Sequence, residues 1–187
     1  NDDLFGNLDL QTNLKIHNYD TNKLTTFFTN DFNWSSKQIF LDNGVNNKIL
    51  GNFKNINYEV KNVEGFKKDI TSEFRAALGV LSQVNLQKIS GDLKHLFTPK
   101  MLLRYSPTQM RNETTGSRLD TTKAFNLNRL DNINNSETGL SATVGFDYKI
   151  NNDYSNFDFS LAQVINEKEN SKMPSKSVVV PLAVFLI

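Results

Sequence analysis

Cysteine is absent from this 187-residue sequence, histidine occurs twice and tryptophan once. Without cysteine, no disulfide and no thiolate metal site can form. His17 and His95 both fall at the ends of predicted strands with no nucleophile or acid motif beside them, so a Ser-His-Asp arrangement has no footing. A Gly-rich phosphate loop, an HExxH pair and EF-hand spacing are also missing. Neither sign of charge prevails, with 21 Lys and Arg against 20 Asp and Glu. No stretch gathers basic residues on one face, as nucleic-acid binding requires. The expectation is a protein that is not an enzyme and has no cofactor, metal or nucleic-acid partner.

Long hydrophobic runs are scarce too. Hydrophobic residues make up 38% of the chain, and the longest apolar run is the ten residues Val178–Ile187. That run is too short to cross a bilayer as a helix, and Pro181 interrupts it. A helical membrane protein is excluded. A β-barrel is not, because only alternate residues of its strands face lipid.

What the sequence does contain is alternation with a period of two. From Phe97 to Tyr105, the residues Phe97, Pro99, Met101, Leu103 and Tyr105 share one face, against Thr98, Lys100, Leu102 and Arg104. From Thr138 to Ile150, Leu140, Ala142, Val144, Phe146 and Tyr148 oppose Gly139, Ser141, Thr143, Gly145, Asp147 and Lys149. Such a pattern over about ten residues suits either a transmembrane β-strand or a half-buried strand of a soluble sheet. Between residues 70 and 88, Ser72, Phe74, Ala76, Leu78, Val80, Val84 and Leu86 oppose Thr71, Glu73, Arg75, Ala77, Gly79, Gln83 and Asn85. This predicts one continuous strand, the longest of the chain, well beyond the ~5–6 residues usual in globular proteins.

Elsewhere, Leu8, Leu10, Leu14 and Ile16 pair with Leu24, Phe28, Phe32 and Trp34 as a predicted first hairpin around Tyr19–Asn22. Asp42-Asn-Gly44 signals a tight turn. The apolar phase then slips by one, from Ile49, Gly51 and Phe53 to Ile56, Tyr58 and Val60, which predicts a β-bulge near Lys54-Asn55. Further strands are expected near residues 122–130, 137–150 and 156–166, with a long polar loop over 106–121 and a turn over 131–136 on the opposite end of the sheet. At about ten residues per strand plus turns, residues 1–175 hold roughly eight to ten strands.

Arg104-Tyr-Ser-Pro107, followed by Met110-Arg-Asn112 and then by AFNLNRL and GLSATVGFDYK, resembles in order and spacing the C-terminal barrel domain of the LptD family. These are the lipopolysaccharide-assembly proteins of the Gram-negative outer membrane, also called organic solvent tolerance proteins. In that family a T-P-x-x-x-L-R-Y-x-P-x-x-M-R-[DN] segment precedes strands of this character. The resemblance continues through FDFSLAQVI and back through the segment from Trp34 to Asn62, covering residues 30 to 175.

The resemblance implies an all-β fold of meandering antiparallel strands, a partial transmembrane β-barrel of the bacterial cell outer membrane. It implies a role in assembling lipopolysaccharide into the outer leaflet. The implied partners are an LptE-like lipoprotein plug, lipopolysaccharide and outer-membrane lipid. Arg104, Tyr105, Pro107, Met110, Arg111 and Asn112 carry the family-like signature, with a structural part in fixing the loop after Tyr105. Glu73, Arg75, Lys100 and Arg104 are the candidate lumen-facing charges, in a lumen where a charge placed at Thr143 is expected to be tolerated. Residues 176–187 depart from the family pattern and read as an atypical apolar tail. With no signal peptide at Asn1–Phe5, this reading expects an internal piece of a longer protein. The alternatives are another outer-membrane barrel of porin or adhesin type, or a soluble β-sandwich binding module.

Overall fold

A computed structural model describes residues 6–19, 22–67, 69–113, 122–130, 132–152, 156–168 and 170–173. Those residues contain no helix and form one antiparallel sheet of nine strands. The strands are β1 (Asn7–Tyr19), β2 (Lys23–Ser35), β3 (Ile39–Phe40), β4 (Val45–Lys61), β5 (Thr71–Val84), β6 (Leu86–Ser90), β7 (Leu93–Ser106), β8 (Gly139–Asn151) and β9 (Asn156–Asn166). The order β1-β2-β4-β5-β7-β8-β9 is a meander, with the two-residue β3 against β4 and β6 against β7. Among the described residues β1 and β9 each have one neighbour, so the sheet is open and not closed into a barrel.

Local chemistry sets the turns. Gly44 takes φ +81° after Asp42-Asn43, its N–H donates to Leu41 O at 2.9 Å, and Asn43 Oδ1 accepts from Val45 N at 3.1 Å. Gly91, at φ +59°, makes the two-residue reversal between β6 and β7. Pro107 has no N–H to continue the ladder beyond Ser106, and β7 stops there.

The registers are staggered. One row of partners runs Leu8, Trp34, Gly51, Leu78, Tyr105, Leu140. It crosses one end of β1 and β2 but the opposite end of β7 and β8. Steady stagger of this kind is what tilted barrel strands require.

The faces alternate as the sequence predicted for β1, β2, β5, β7 and β8, but their environment is inverted relative to a soluble sheet. The apolar face is exposed: Phe74 is 61%, Leu78 59% and Tyr105 54% accessible, and Val144 and Leu140 lie on the same side. Aromatic rows run across it, Phe32–Phe53–Phe74 with centroid spacings of 6.0 and 5.8 Å and Phe97–Phe146–Phe159 with spacings of 5.1 and 5.8 Å. The polar face is the buried one, with Lys54 at 1%, Arg104 at 2% and Thr143 at 1%.

Three expectations are corrected. Lys54-Asn55 is no bulge, because the pairing of β4 with β2 and β5 runs unbroken through it. The apolar residues really do change face: Phe53 points outward, whereas Ile56, Tyr58 and Val60 line the inner face and pack with Phe27, Val63 and Phe66. Residues 122–130 form turns and irregular chain instead of a strand. Residues 70–88 are interrupted at Asn85, although Gln83 with Lys100 and Leu86 with Phe97 keep one register across the break. The longest strand is β4, with 17 residues. The apolar tail at 176–187 and the loop residues 114–121 lie outside the described residues.

Candidate functional site

The polar face is covered by the described parts of the connection from β7 to β8, residues 107–113, 122–130 and 132–138, which fold back over the sheet that anchors them. Buried polar groups must find partners, and three arginines supply most of them. Arg104, on the inner face of β7, donates from Nε to Leu127 O and from Nη2 to Glu137 O, both at 2.5 Å. Strand β7 thus holds the connection by its backbone. Arg129 reverses the direction: it belongs to the connection and reaches the sheet. Its fork meets Glu137 at 2.7 and 2.5 Å, while Nη2 donates to Ser141 Oγ at 3.0 Å and Nη1 to Thr143 Oγ1 at 3.3 Å. Arg129 and Glu137 are 0% and 2% exposed, so this is a buried ion pair with its remaining donors satisfied.

Arg111 closes the upper end. Its Nη1 pairs with Glu73 Oε2 and its Nη2 donates to Asn134 O. Its guanidinium stacks 5.3 Å from the ring centres of both Tyr58 and Phe66, which join it to the apolar cluster under β4. Burial lowers the Arg111 pKa from its usual value, and the Glu73 carboxylate opposes that shift. Glu73 also accepts from Arg75 Nη2 at 2.6 Å and from Tyr58 OH at 3.1 Å.

Asparagines complete the packing. Asn135 accepts from Arg111 N at 3.2 Å and donates to Arg111 O at 3.0 Å, pairing like a second strand. Asn134 Oδ1 accepts from Thr29 Oγ1 at 2.8 Å, which ties the connection to β2. Glu113 accepts from Asn132 Nδ2 at 2.8 Å, and its N–H donates to Lys172 O at 2.9 Å. The chain after β9 therefore returns to the same place, and Met110 and Met173 are both buried there. Apolar contact is close as well: a Cβ on Gly79 would lie 2.7 Å from Leu127 Cδ2 and 3.0 Å from Leu103 O, so a side chain there would displace the Leu127 side chain and crowd the β7 backbone.

The structure divides the family-like signature. Arg104 and Met110 are buried and Arg111 is half-buried, whereas Tyr105, Pro107 and Asn112 are exposed. All four candidate charges lie on the inner face, but not as one group. Glu73 and Arg75 join Arg111, Arg104 sits under Leu127, and Lys100 pairs separately with Asp147 and lies 5.6 Å from the Phe125 ring centre. Thr143 is not a tolerant lumen position. Its hydroxyl donates to Ala124 O at 3.0 Å beneath the connection, so no room exists for a charge.

Residues 106–121 and 131–136 were expected on opposite ends of the sheet. Among the described residues no strand separates them, so both belong to one connection, and its described parts are joined through Arg111 and Asn135. Glu137 and Glu113 carried no signal in the sequence, and Arg129, Asn134 and Asn135 entered only as parts of AFNLNRL and of the turn 131–136. The run of turn-forming Asn and Asp from Asn126 to Asn135 was the available hint that AFNLNRL is not a strand.

Comparison with known proteins found no family model that matches the chain and no curated protein with a significant match.

Proposed function

We propose that this chain forms part of the wall of an outer-membrane β-barrel of the lipopolysaccharide-assembly class, with the β7–β8 connection folded into its lumen. The observation that carries the membrane reading is the inverted polarity of the sheet, with an exposed apolar face and a buried face of Arg, Lys, Thr and Ser. A soluble sandwich buries its apolar face instead. Exposed apolar surface on this scale on a soluble protein requires a partner, and a bilayer would supply one continuously. The open edges at β1 and β9 fit the same reading, since backbone groups in lipid must be paired and further strands would close the barrel.

The cargo rests on the sequence resemblance: the Arg104–Asn112 signature and the strand Gly139–Lys149. In this reading, lipopolysaccharide and an LptE-like lipoprotein occupy the part of the lumen that the connection leaves open. Depletion of the full-length protein from a Gram-negative cell tests the cargo. Loss of newly made lipopolysaccharide from the cell surface, with small-solute entry unchanged, is the expected outcome. Unchanged lipopolysaccharide export with reduced solute entry would point to a porin instead.

A further inference from the structure

We propose that the inner face binds a phosphate-type oxyanion between Lys67, Arg75, Gln109 and Arg111. A cavity of about 310 Å³ opens there, beside the start of β5, lined by these residues and by Glu73, Phe74 and Met110. That size lies at the lower end of the ~300–1,000 Å³ typical of small-ligand sites.

Arg75 is the central observation. Its side chain is only 4% exposed and its Nη2 pairs with Glu73, but Nε and Nη1 have no acceptor. Buried guanidinium donors left in this state are costly, and native structures rarely retain them. Glu73 cannot serve them. Its Oε2 is shared between Arg75 and Arg111, and its Oε1 accepts from Tyr58. The other carboxylates nearby are engaged too. Asp31 holds Lys54, which lies directly opposite Arg75 on β4, and Glu113 holds Asn132 and Asn135.

The cavity is thus lined by three cationic side chains against one carboxylate, and Arg75 holds two unanswered guanidinium nitrogens buried beside it. A tetrahedral dianion offers acceptor oxygens in more directions than a planar carboxylate does. It can meet the Arg75 guanidinium through one of its open nitrogens, the Lys67 ammonium at the rim and the Gln109 amide together. This inference does not depend on the cargo, and it concerns the inner face whereas the membrane reading rests on the outer one, so either can fail alone.

Calorimetric titration of the full-length protein in detergent with inorganic phosphate, glucose 1-phosphate and acetate tests it. Saturable binding of phosphate at one site per chain is expected, with acetate much weaker. Tighter binding of glucose 1-phosphate than of inorganic phosphate would assign a phosphate ester as the source, and the reverse order the free ion. Arg75→Gln should weaken phosphate binding about tenfold or more, Arg75→Lys less, and the exposed Lys67→Gln a few-fold. Should Arg75→Gln fail to assemble, Lys67→Gln decides. Absence of saturable phosphate binding, equal affinity in the variants, or acetate binding as tightly as phosphate would overturn the assignment.

Discussion

β1 and β8 have the same length, 13 residues, and the same alternation of apolar and polar side chains, yet they sit in different surroundings. On β8 the polar face is sealed: Ser141 and Thr143 are buried under Arg129 and Ala124. On β1 both faces are exposed from Asn7 to Asn18, with only Asn13 half-buried among them. The apolar faces do not differ in kind, since Leu8, Leu10, Leu14 and Ile16 are exposed, as are Leu140 and Val144 to a lesser degree. Alternation thus determines which face a residue occupies. What lies against that face is decided by a distant segment, here the connection that leaves β7 and returns to β8.

Breaking the sealed region should have the largest effect. Arg129→Met leaves Glu137 buried and unpaired, a loss of about 3–5 kcal/mol, whereas Arg129→Met with Glu137→Leu should recover most of it. Denaturant unfolding in detergent micelles, followed by tryptophan fluorescence of Trp34, measures both. Next come the two faces of β8. Val144→Arg should cost about 2–4 kcal/mol if that residue meets the bilayer midplane, while Val144→Leu should be nearly neutral, since a lipid face has no fixed packing partner. A close-packed core would lose about 1–3 kcal/mol to that leucine. Thr143→Arg should block assembly as strongly as Val144→Arg, because it forces a charge beneath Ala124; folding yield compares the two. The smallest change belongs to β1, where Gln11→Ala should stay within about 0.5 kcal/mol. A large loss at Gln11 would mean that its face is covered after all.

The face of every strand residue quoted for β5, β7 and β8 was legible in the sequence because period two is a backbone property. The break in phase on β4 was legible too, but its cause was not. Ile56, Tyr58 and Val60 change the inner face from polar to apolar because Phe66 folds over them from the following loop, and no local signal links Phe66 to Tyr58. AFNLNRL misled for the opposite reason. Its apolar residues, Ala124 and Leu127, are buried against the sheet without forming part of it. Arg104 was placed on the correct face. Its partners are carbonyl oxygens 23 and 33 residues away, which composition cannot reveal.

The central claim is that the exposed apolar face meets lipid. These 187 residues contain no cysteine, so single spin labels can be introduced within them with no native thiol in the stretch, any cysteine elsewhere in the full-length protein being replaced first. Labels at Val144→Cys, Leu103→Cys and Leu78→Cys in the full-length protein, reconstituted in liposomes, report their surroundings through relaxation by oxygen and by a water-soluble nickel chelate. The account expects high collision rates with oxygen and low rates with the chelate at all three, the signature of mobile residues in a bilayer. Labels relaxed strongly by the chelate, or immobile and shielded from both agents as in a packed core, would contradict it.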